Sequence, residues 1–122
     1  MELDVDEFKK LRNELNNETI LIRFSAVWCA PCQKIKARCE EWFAKLPSNV
    51  IIFEIDIDET LELYMALKKF KMVNGIPAIL AFHTRTKEER WYIPDDSVNT
   101  GDLNSVDKFF ARVAVRSIPQ LP

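Results

Sequence analysis

The sequence has little of what several protein classes require. Its three cysteines, an odd number, are too few for a disulfide scaffold. Its longest apolar runs are only a few residues long, so no segment is predicted to span a membrane. Its 17 basic and 19 acidic side chains include no basic block, which argues against nucleic acid as the main partner. With 48% hydrophobic and 30% charged residues, the composition is that of an ordinary globular protein.

The length of 122 residues suits one domain with one sizeable core. We predict a single domain over residues 1–116 and a C-terminal tail over residues 117–122. The first stretch, "MELDVDEFKK", is acidic and amphipathic and lacks the basic and apolar regions of a signal peptide. We therefore expect a cytoplasmic protein. In such a reducing compartment a close cysteine pair is more often catalytic or metal-binding than a static crosslink.

The apolar pattern predicts strands that alternate with helices. Asp4 and Glu7 can cap the first helix, and Asn104 can cap the last one. The predicted strands cover residues 19–25, 50–57, 78–83 and 89–93, the last two as a hairpin, with a loop at 94–104. The order α-β-α-β-α-β-β-α implies an α/β fold. Its sheet is mixed, with helices on both faces and the last two strands antiparallel.

Two cysteines, Cys29 and Cys32, stand where the first strand meets the second helix. A helix N-terminus favours a thiolate, so Cys29 is expected to be the exposed, reactive sulfur. Cys32 lies one turn further and can resolve a mixed disulfide. Pro31 suits a first helical turn, and Trp28 offers a flat apolar surface beside the nucleophile. This strand-to-helix setting favours a redox couple.

Two other interpretations of the cysteine pair stay open. One is a zinc site, for which Cys39 and His83 are the remaining good donors. Cys39 lies about 10 Å beyond Cys32 along a helix, too far to share a tetrahedral site, so we predict no metal ligand. The other is that the pair belongs to the core. Cys39 itself shares an apolar helical face and is expected to be buried and inert.

The segments "WCAPC" at 28–32 and "GIPAILAF" at 75–82, together with their spacing, resemble the thioredoxin family. The resemblance implies the thioredoxin fold over most of the chain. It also implies a monomer without a cofactor that reduces disulfides in proteins as part of electron transport. Its own disulfide would be recycled by a thioredoxin reductase or a similar electron donor.

The resemblance also assigns roles to individual residues. Cys29 matches the family's nucleophile and Cys32 its resolving cysteine. Pro77 matches the cis-proline beside the disulfide, a minority peptide state that a fold keeps for a reason. That geometry would leave the backbone of Ile76 free to bind an extended substrate segment, next to the Trp28 surface.

Three departures from the family stand out. Only residues 1–3 precede the first helix, so the family's first edge strand is predicted to be missing or a stub. The segment after Phe82 is longer than in the family, and residues 94–101 are predicted to hold this insertion as a surface loop. Arg23 and Glu54 reverse the charges of a buried Asp and Lys. They are predicted to form a partly buried ion pair beneath the site, with Glu54 as a candidate substitute base for Cys32.

The leading prediction is a thiol–disulfide oxidoreductase that reduces protein disulfides through Cys29 and Cys32. One alternative is a binding module that uses the groove at Ile76 and Pro77, the long loop and Trp91, with cysteines that cycle poorly. Another is a reductase dedicated to one partner, with the insertion as its selector. Retention of both cysteines favours the leading prediction, because binding modules of this kind usually lose one or both.

Overall fold

The computed structural model describes residues 3–85 and 88–118, and it contains four helices, four strands and one 3₁₀ turn in that part of the chain. The elements follow the order α1 (Val5–Asn13), β1 (Thr19–Ser25), α2 (Ala30–Lys45), β2 (Val50–Asp56), α3 (Glu62–Lys69), β3 (Ala78–Phe82), the 3₁₀ turn (Glu88–Arg90), β4 (Asp96–Val98) and α4 (Leu103–Ser117). The sheet order is β2-β1-β3-β4, with β1 parallel to β2 and β3 antiparallel to both β1 and β4. The predicted mixed α/β sheet is confirmed.

The apolar run over β1 places this strand in the centre of the sheet, where both of its faces are buried. Ile20, Ile22 and Phe24 enter one core, which also contains side chains of α1 and α3. Leu21 enters a second core, formed with α2 and α4. Alternate side chains of one strand therefore hold the two helical layers together.

The second strand, predicted over residues 50–57, is one residue shorter in the structure and is only partly buried. β2 lies at the edge of the sheet and ends at Asp56, and only Phe53 and Ile55 are buried along it. Residues 3 and 4 form no strand before α1, so within the described residues the family's first edge strand is missing, as predicted. Without that strand, β2 has a free edge and some of its side chains reach water.

The predicted strand at residues 89–93 is wrong. Residues 88–90 form a 3₁₀ turn, and the fourth strand is Asp96–Val98, inside the stretch predicted to be a loop. The physical reason is the buried Arg12, whose guanidinium donates hydrogen bonds to the carbonyls of Trp91 and Ile93. These carbonyls bind a side chain instead of a neighbouring strand.

The aromatic side chains of the same segment also hold it away from the sheet. Trp91 meets Phe8 and Phe70 edge to face, and Tyr92 stacks on Phe70 with ring centroids 3.9 Å apart. The chain rejoins the sheet when the amide of Asp95 donates to the carbonyl of Ala81. Trp91 and Tyr92 are thus held by α1 and by the turn after α3 before β4 begins.

Helix capping was predicted correctly at one end of the chain and wrongly at the other. Asp4 caps α1 by accepting from the amide of Glu7 at 2.8 Å, as predicted. Asp102, not Asn104, caps α4 by accepting from the amide of Ser105 at 3.0 Å. The division into a domain at 1–116 and a tail at 117–122 stays a prediction, since residues 119–122 lie outside the described part.

In the part of the chain that the structure describes, no helix combines the length and the apolar character needed to cross a bilayer.

Candidate active site

Cys29 and Cys32 lie at the N-terminus of α2, a few residues after β1 ends. They form a disulfide with their Cα atoms 5.2 Å apart. Cys29 is the N-cap of α2, and its Sγ accepts from the amide of Cys32 at 3.2 Å. Pro31 stands in the first turn, where its lack of an N–H removes no helical hydrogen bond. The helix N-terminus thus directs an amide toward Cys29, which favours negative charge on that sulfur.

The exposure of the two cysteines differs from the prediction. Cys29 is only 4% exposed with the disulfide closed, and Cys32 is fully buried. The prediction that Cys29 is exposed is therefore wrong while the disulfide is closed. Cys29 is still the more exposed of the two cysteines, as predicted. Both cysteines pack with Ala26, and Ile57 and Ile76 lie against the same cluster.

Arg23 and Glu54 form the ion pair that the sequence predicts. They are register partners on β1 and β2, and Nη1 of Arg23 lies 3.1 Å from Oε1 of Glu54. The Arg23 side chain is only 4% exposed, whereas that of Glu54 is 48% exposed. Nη2 of Arg23 also donates to the carbonyl of Cys32 at 3.1 Å. The guanidinium therefore joins the edge strand to Cys32 in the first turn of α2.

A cleft of about 460 Å³ opens beside this pair. Its lining combines side chains from β1, α2 and β2 with the turn after β1: Arg23, Ser25, Ala26, Val27, Gln33, Lys36, Glu40, Glu54 and Asp56. Two of the lining residues are hydrogen-bonded to each other, since Gln33 donates to the carbonyl of Ala26 at 3.0 Å. Because most of these side chains are polar, the cleft gives water a path to the Glu54 end of the pair.

Cys39 is a buried free thiol on the inner face of α2, as predicted. Burial raises the pKa of Cys39 to about 11, and the nearby positive charge of Arg23 opposes this rise only in part. A thiol in this state reacts slowly, because the thiolate is the nucleophile. Cys39 is therefore suited to packing in the second core and not to thiol chemistry.

His83, the other candidate metal donor, lies far from the cysteines along the sheet. Its Nδ1 is 3.0 Å from the hydroxyl of Thr19, at the opposite end of β1 from the disulfide. Burial lowers its pKa. Across residues 3–85 and 88–118, no group of three or more His, Cys, Asp or Glu side chains is placed to hold a metal ion.

The segment of residues 74–77 approaches the disulfide through Ile76. The Ile76–Pro77 peptide bond is cis, and Ile76 packs on the cysteine cluster. Gly75 has φ +92°, a conformation that costs other residues strain, which accounts for one of the two glycines.

Trp28 lies on the surface beside the disulfide, 67% exposed, so a core position for it is excluded. Its indole Nε1 donates to Oδ2 of Asp58 at 2.7 Å, which fixes the ring. The neighbouring Val27 is 79% exposed. Asp58 was not identified from the sequence, because the acidic run in which it lies has no local feature that points to Trp28.

The predicted insertion at 94–101 ends beside the site. A Cβ added at Gly101 would lie 2.9 Å from the Cβ of Pro31, so only glycine fits this contact without a shift. A depression of about 630 Å³ lies here, lined by Ala30, Pro31, Lys34, Thr100, Gly101 and Asp102. Asn99, which sequence analysis missed, hydrogen-bonds to the segment 74–77. The stretch is therefore part of the site's surroundings as well as of the sheet.

Trp91, in contrast, lies away from the site. It is buried against side chains of α1 and of the turn after α3, so it is not available to a partner. The sequence-predicted residues thus separate into two groups. Those that the structure brings together are Arg23, Trp28, Cys29, Pro31, Cys32, Glu54, Ile76 and Pro77, while Trp91 and His83 lie elsewhere.

The solved structures that this chain resembles have the same fold. A thioredoxin from Malassezia sympodialis superposes with a TM-score of 0.66 at 19% identity, covering 96% of this chain and 92% of that one. Mitochondrial thioredoxin 3 from Saccharomyces cerevisiae gives 0.67 at 18% identity, with 92% and 93% covered. At these identities the likeness shows the fold alone.

Similarity in sequence covers shorter segments. Mitochondrial thioredoxin from Mus musculus is 32% identical over 68 residues, 55% of this chain and 39% of the relative. Thioredoxin H8 from Arabidopsis thaliana is 30% identical over 87 residues, 70% of this chain and 55% of the relative. The matched part of the chain thus spans about half or less of these curated relatives. The family model for thioredoxin matches residues 1–101, and with this match the chain belongs to the thioredoxin family.

Proposed function

We propose that this chain is a thiol–disulfide oxidoreductase that reduces disulfides in proteins. The observation that carries the proposal is the Cys29–Cys32 disulfide at the N-terminus of α2, within the thioredoxin fold. The amide of Cys32 on the Cys29 sulfur and the positive end of the helix both favour a thiolate at Cys29.

The reaction begins from the reduced dithiol. The Cys29 thiolate attacks one sulfur of a substrate disulfide, forms a mixed disulfide and releases the other substrate sulfur as a thiolate. Cys32 then loses its proton and attacks the Cys29 sulfur, which releases the second substrate thiolate and leaves the Cys29–Cys32 disulfide. Two electrons pass to the substrate, and the two protons lost by the cysteines balance those taken up by the products.

Arg23 and Glu54 support this site without touching the substrate. Arg23 binds the carbonyl of Cys32 and so holds the first turn of α2 against β1. Among the described residues, Glu54 hydrogen-bonds to Arg23 and to neither sulfur, so its proposed role is to hold Arg23. The substitute-base role for Glu54 stays a prediction, for which proton transfer through water in the polar cleft would be required.

The proposed substrate surface consists of Trp28, Ile76 and Pro77 around the disulfide. Trp28 is exposed and held by Asp58, and Ile76 packs on the cysteine cluster. The proposed partners are proteins with accessible disulfides and a dithiol donor such as a thioredoxin reductase, which would return the protein to its reduced form. A monomeric state and a cytoplasmic location also stay predictions. The matched relatives include mitochondrial thioredoxins.

Reduction of insulin by dithiothreitol, followed as precipitation of the freed insulin chain, tests the proposal. The wild-type chain should accelerate the reaction, and Cys29→Ser should abolish the acceleration. In a separate reaction, pre-reduced Cys32→Ser freed of dithiothreitol should accumulate a mixed disulfide with the substrate, because the second attack is missing. Cys39→Ala is the matched control and should keep near-normal activity. Normal turnover by Cys29→Ser, or absence of any trapped adduct with Cys32→Ser, would show that the assigned roles are wrong.

The binding-module alternative receives less support. It assigns Trp91 to a partner surface, but that ring is buried among Phe8 and Phe70. One observation favours the other alternative, a reductase dedicated to one partner. Residues at the end of the 94–101 stretch line the depression beside Pro31, where they could contact such a partner.

A further inference from the structure

Asn99 binds the segment that precedes β3 through three hydrogen bonds from one side chain. Its Oδ1 accepts from the amide of Asn74 at 2.8 Å. Its Nδ2 donates to the carbonyls of Gly75 at 3.2 Å and Pro77 at 2.7 Å. The amide group therefore uses both its acceptor and its donor on backbone groups of one short segment.

Asn99 lies at the surface, directly beyond the end of β4. Asn99 follows Val98, the last residue of β4, and Val98 pairs with Ile79 of β3. The side chain thus continues the contact between these two strands beyond the point where their backbone pairing ends. Gly101, two residues later, meets Pro31 at the start of α2. The stretch 99–101 therefore touches both the segment 74–77 and the helix that carries the cysteines.

Pro77, at the end of the segment 74–77, is buried, whereas the three residues before it are exposed or half-buried. Asn74 is exposed, and Gly75 has no side chain and adopts φ +92°. Ile76 alone packs on the cysteine cluster. A protein substrate that binds along this backbone needs the peptide groups of Ile76 and Pro77 held in a fixed direction, whereas a small disulfide needs only access to the sulfur of Cys29.

We propose that Asn99 is a positioning residue that fixes the segment 74–77 for protein substrates. The inference rests on the proposed function and extends it to the origin of selectivity for polypeptides over small disulfides. Without Asn99, the segment samples more conformations and pays more entropy when a polypeptide orders it. The loss should appear in KM for a protein substrate and leave the chemistry at the cysteines unchanged.

Kinetics of the full chain with two substrates test this. Steady-state reduction of insulin, with dithiothreitol as the reductant, gives KM and kcat for a protein disulfide. A single-turnover reaction of the pre-reduced chain, freed of dithiothreitol, with 5,5′-dithiobis(2-nitrobenzoate), a small aromatic disulfide, reports on the sulfur alone. Asn99→Ala should raise KM for insulin about fivefold to tenfold at little changed kcat, with the rate on the small disulfide within about twofold of wild type. Asn104→Ala, an exposed asparagine on α4, is the control and should match wild type on both substrates.

Asn99→Asp tests the donor group of the side chain separately from its acceptor group. It keeps an oxygen for the amide of Asn74 but places a carboxylate against the carbonyls of Gly75 and Pro77, so it should raise KM at least as much as Asn99→Ala. Amide hydrogen exchange at Asn74 gives a second measurement, independent of turnover. That amide should exchange faster than wild type in Asn99→Ala, while the β3 amides stay protected.

The outcomes distinguish this inference from the proposed function. A wild-type chain that reduces neither substrate overturns the proposed function and this inference with it. An active wild type with an unchanged KM in both Asn99 variants overturns this inference alone. Equal losses on insulin and on the small disulfide would also overturn it, because Asn99 would then act on the cysteines or on the fold as a whole.

Discussion

The ion pair between Arg23 and Glu54 has one buried and one exposed partner, and this difference predicts how strongly the two side chains are coupled. Arg23 has 4% of its side chain exposed and Glu54 has 48%. Exposed ion pairs contribute about 0–1 kcal/mol, whereas breaking a deeply buried pair from one side costs about 3–5 kcal/mol. Because water reaches Glu54 but not Arg23, we expect a coupling energy between the two side chains of about 1–2 kcal/mol.

The two single substitutions should differ in cost. Arg23→Met removes the ion pair and also the hydrogen bond to the buried carbonyl of Cys32, and a hydrogen bond to a charged group contributes roughly 1.5–3 kcal/mol. We therefore expect Arg23→Met to lower the free energy of unfolding by about 3–4 kcal/mol. Glu54→Gln keeps an oxygen that can accept from Arg23, so its cost should be about 1–2 kcal/mol.

Urea denaturation of the wild type, both single variants and the double variant, all in the oxidised form, gives the coupling energy. The Arg112–Asp96 pair is the matched control. It forms two hydrogen bonds, at 2.8 and 3.1 Å, but Arg112 is half-exposed, so its cycle should give less than about 1 kcal/mol. An Arg23–Glu54 coupling energy within about 0.5 kcal/mol of zero would contradict this reasoning, because the pair would then contribute nothing measurable to the free energy of unfolding. If the two single variants lowered the free energy of unfolding equally, the hydrogen bond from Arg23 to the carbonyl of Cys32 would contribute nothing to stability.

Three further predictions concern groups outside the site. Arg12→Met should lower the free energy of unfolding by about 3 kcal/mol or more, since it removes the ion pair with Asp95 and the hydrogen bonds to the carbonyls of Thr84 and Trp91. Arg12→Lys should not restore it in urea denaturation, and a full rescue would contradict this. The pKa of Cys39, raised by burial from 9.0 to about 11, means that stability should fall as pH rises through this range, less so in Cys39→Ala. Rapid native alkylation of Cys39 at pH 8 would contradict its burial. The pKa of His83, lowered by burial from 6.5, means that acidification below about pH 6.5 should cost stability. Urea midpoints at pH 7 and pH 5 should therefore differ less in His83→Gln, and an equal difference would count against it.

Local signals in the sequence were enough to predict the first half of the fold. The cap at Asp4, the apolar run over 19–25 and Pro31 in the first turn of α2 each act within a few residues, and each lies where it was predicted. The cysteine pair could be placed for the same reason. The junction of a buried strand and a helix start fixes its setting without any long-range contact.

The fourth strand could not be predicted, because contacts distant in sequence decide it. Residues 91–93 have strand-forming side chains, but the guanidinium of Arg12 binds the carbonyls of Trp91 and Ile93. Residues 96–98, with the sequence Asp-Ser-Val, have the composition of a turn and pair with β3 only as a short edge. Asn99 was missed for the same reason, since the groups that it binds lie 22–25 residues earlier in the chain.

Two departures from the family turn out to be linked in space. Within the described residues no strand precedes α1, and β2 lies at the sheet edge, where Glu54 is half-exposed. A carboxylate at an edge needs little desolvation, whereas a cation on the central strand needs a partner that stays charged. Arg23 can be buried on β1 because Glu54 meets it from the solvent side and the Cys32 carbonyl meets it from the helix. The charge reversal thus suits a sheet with an open edge, and the arrangement makes Arg23 the link between that edge and the Cys29–Cys32 pair.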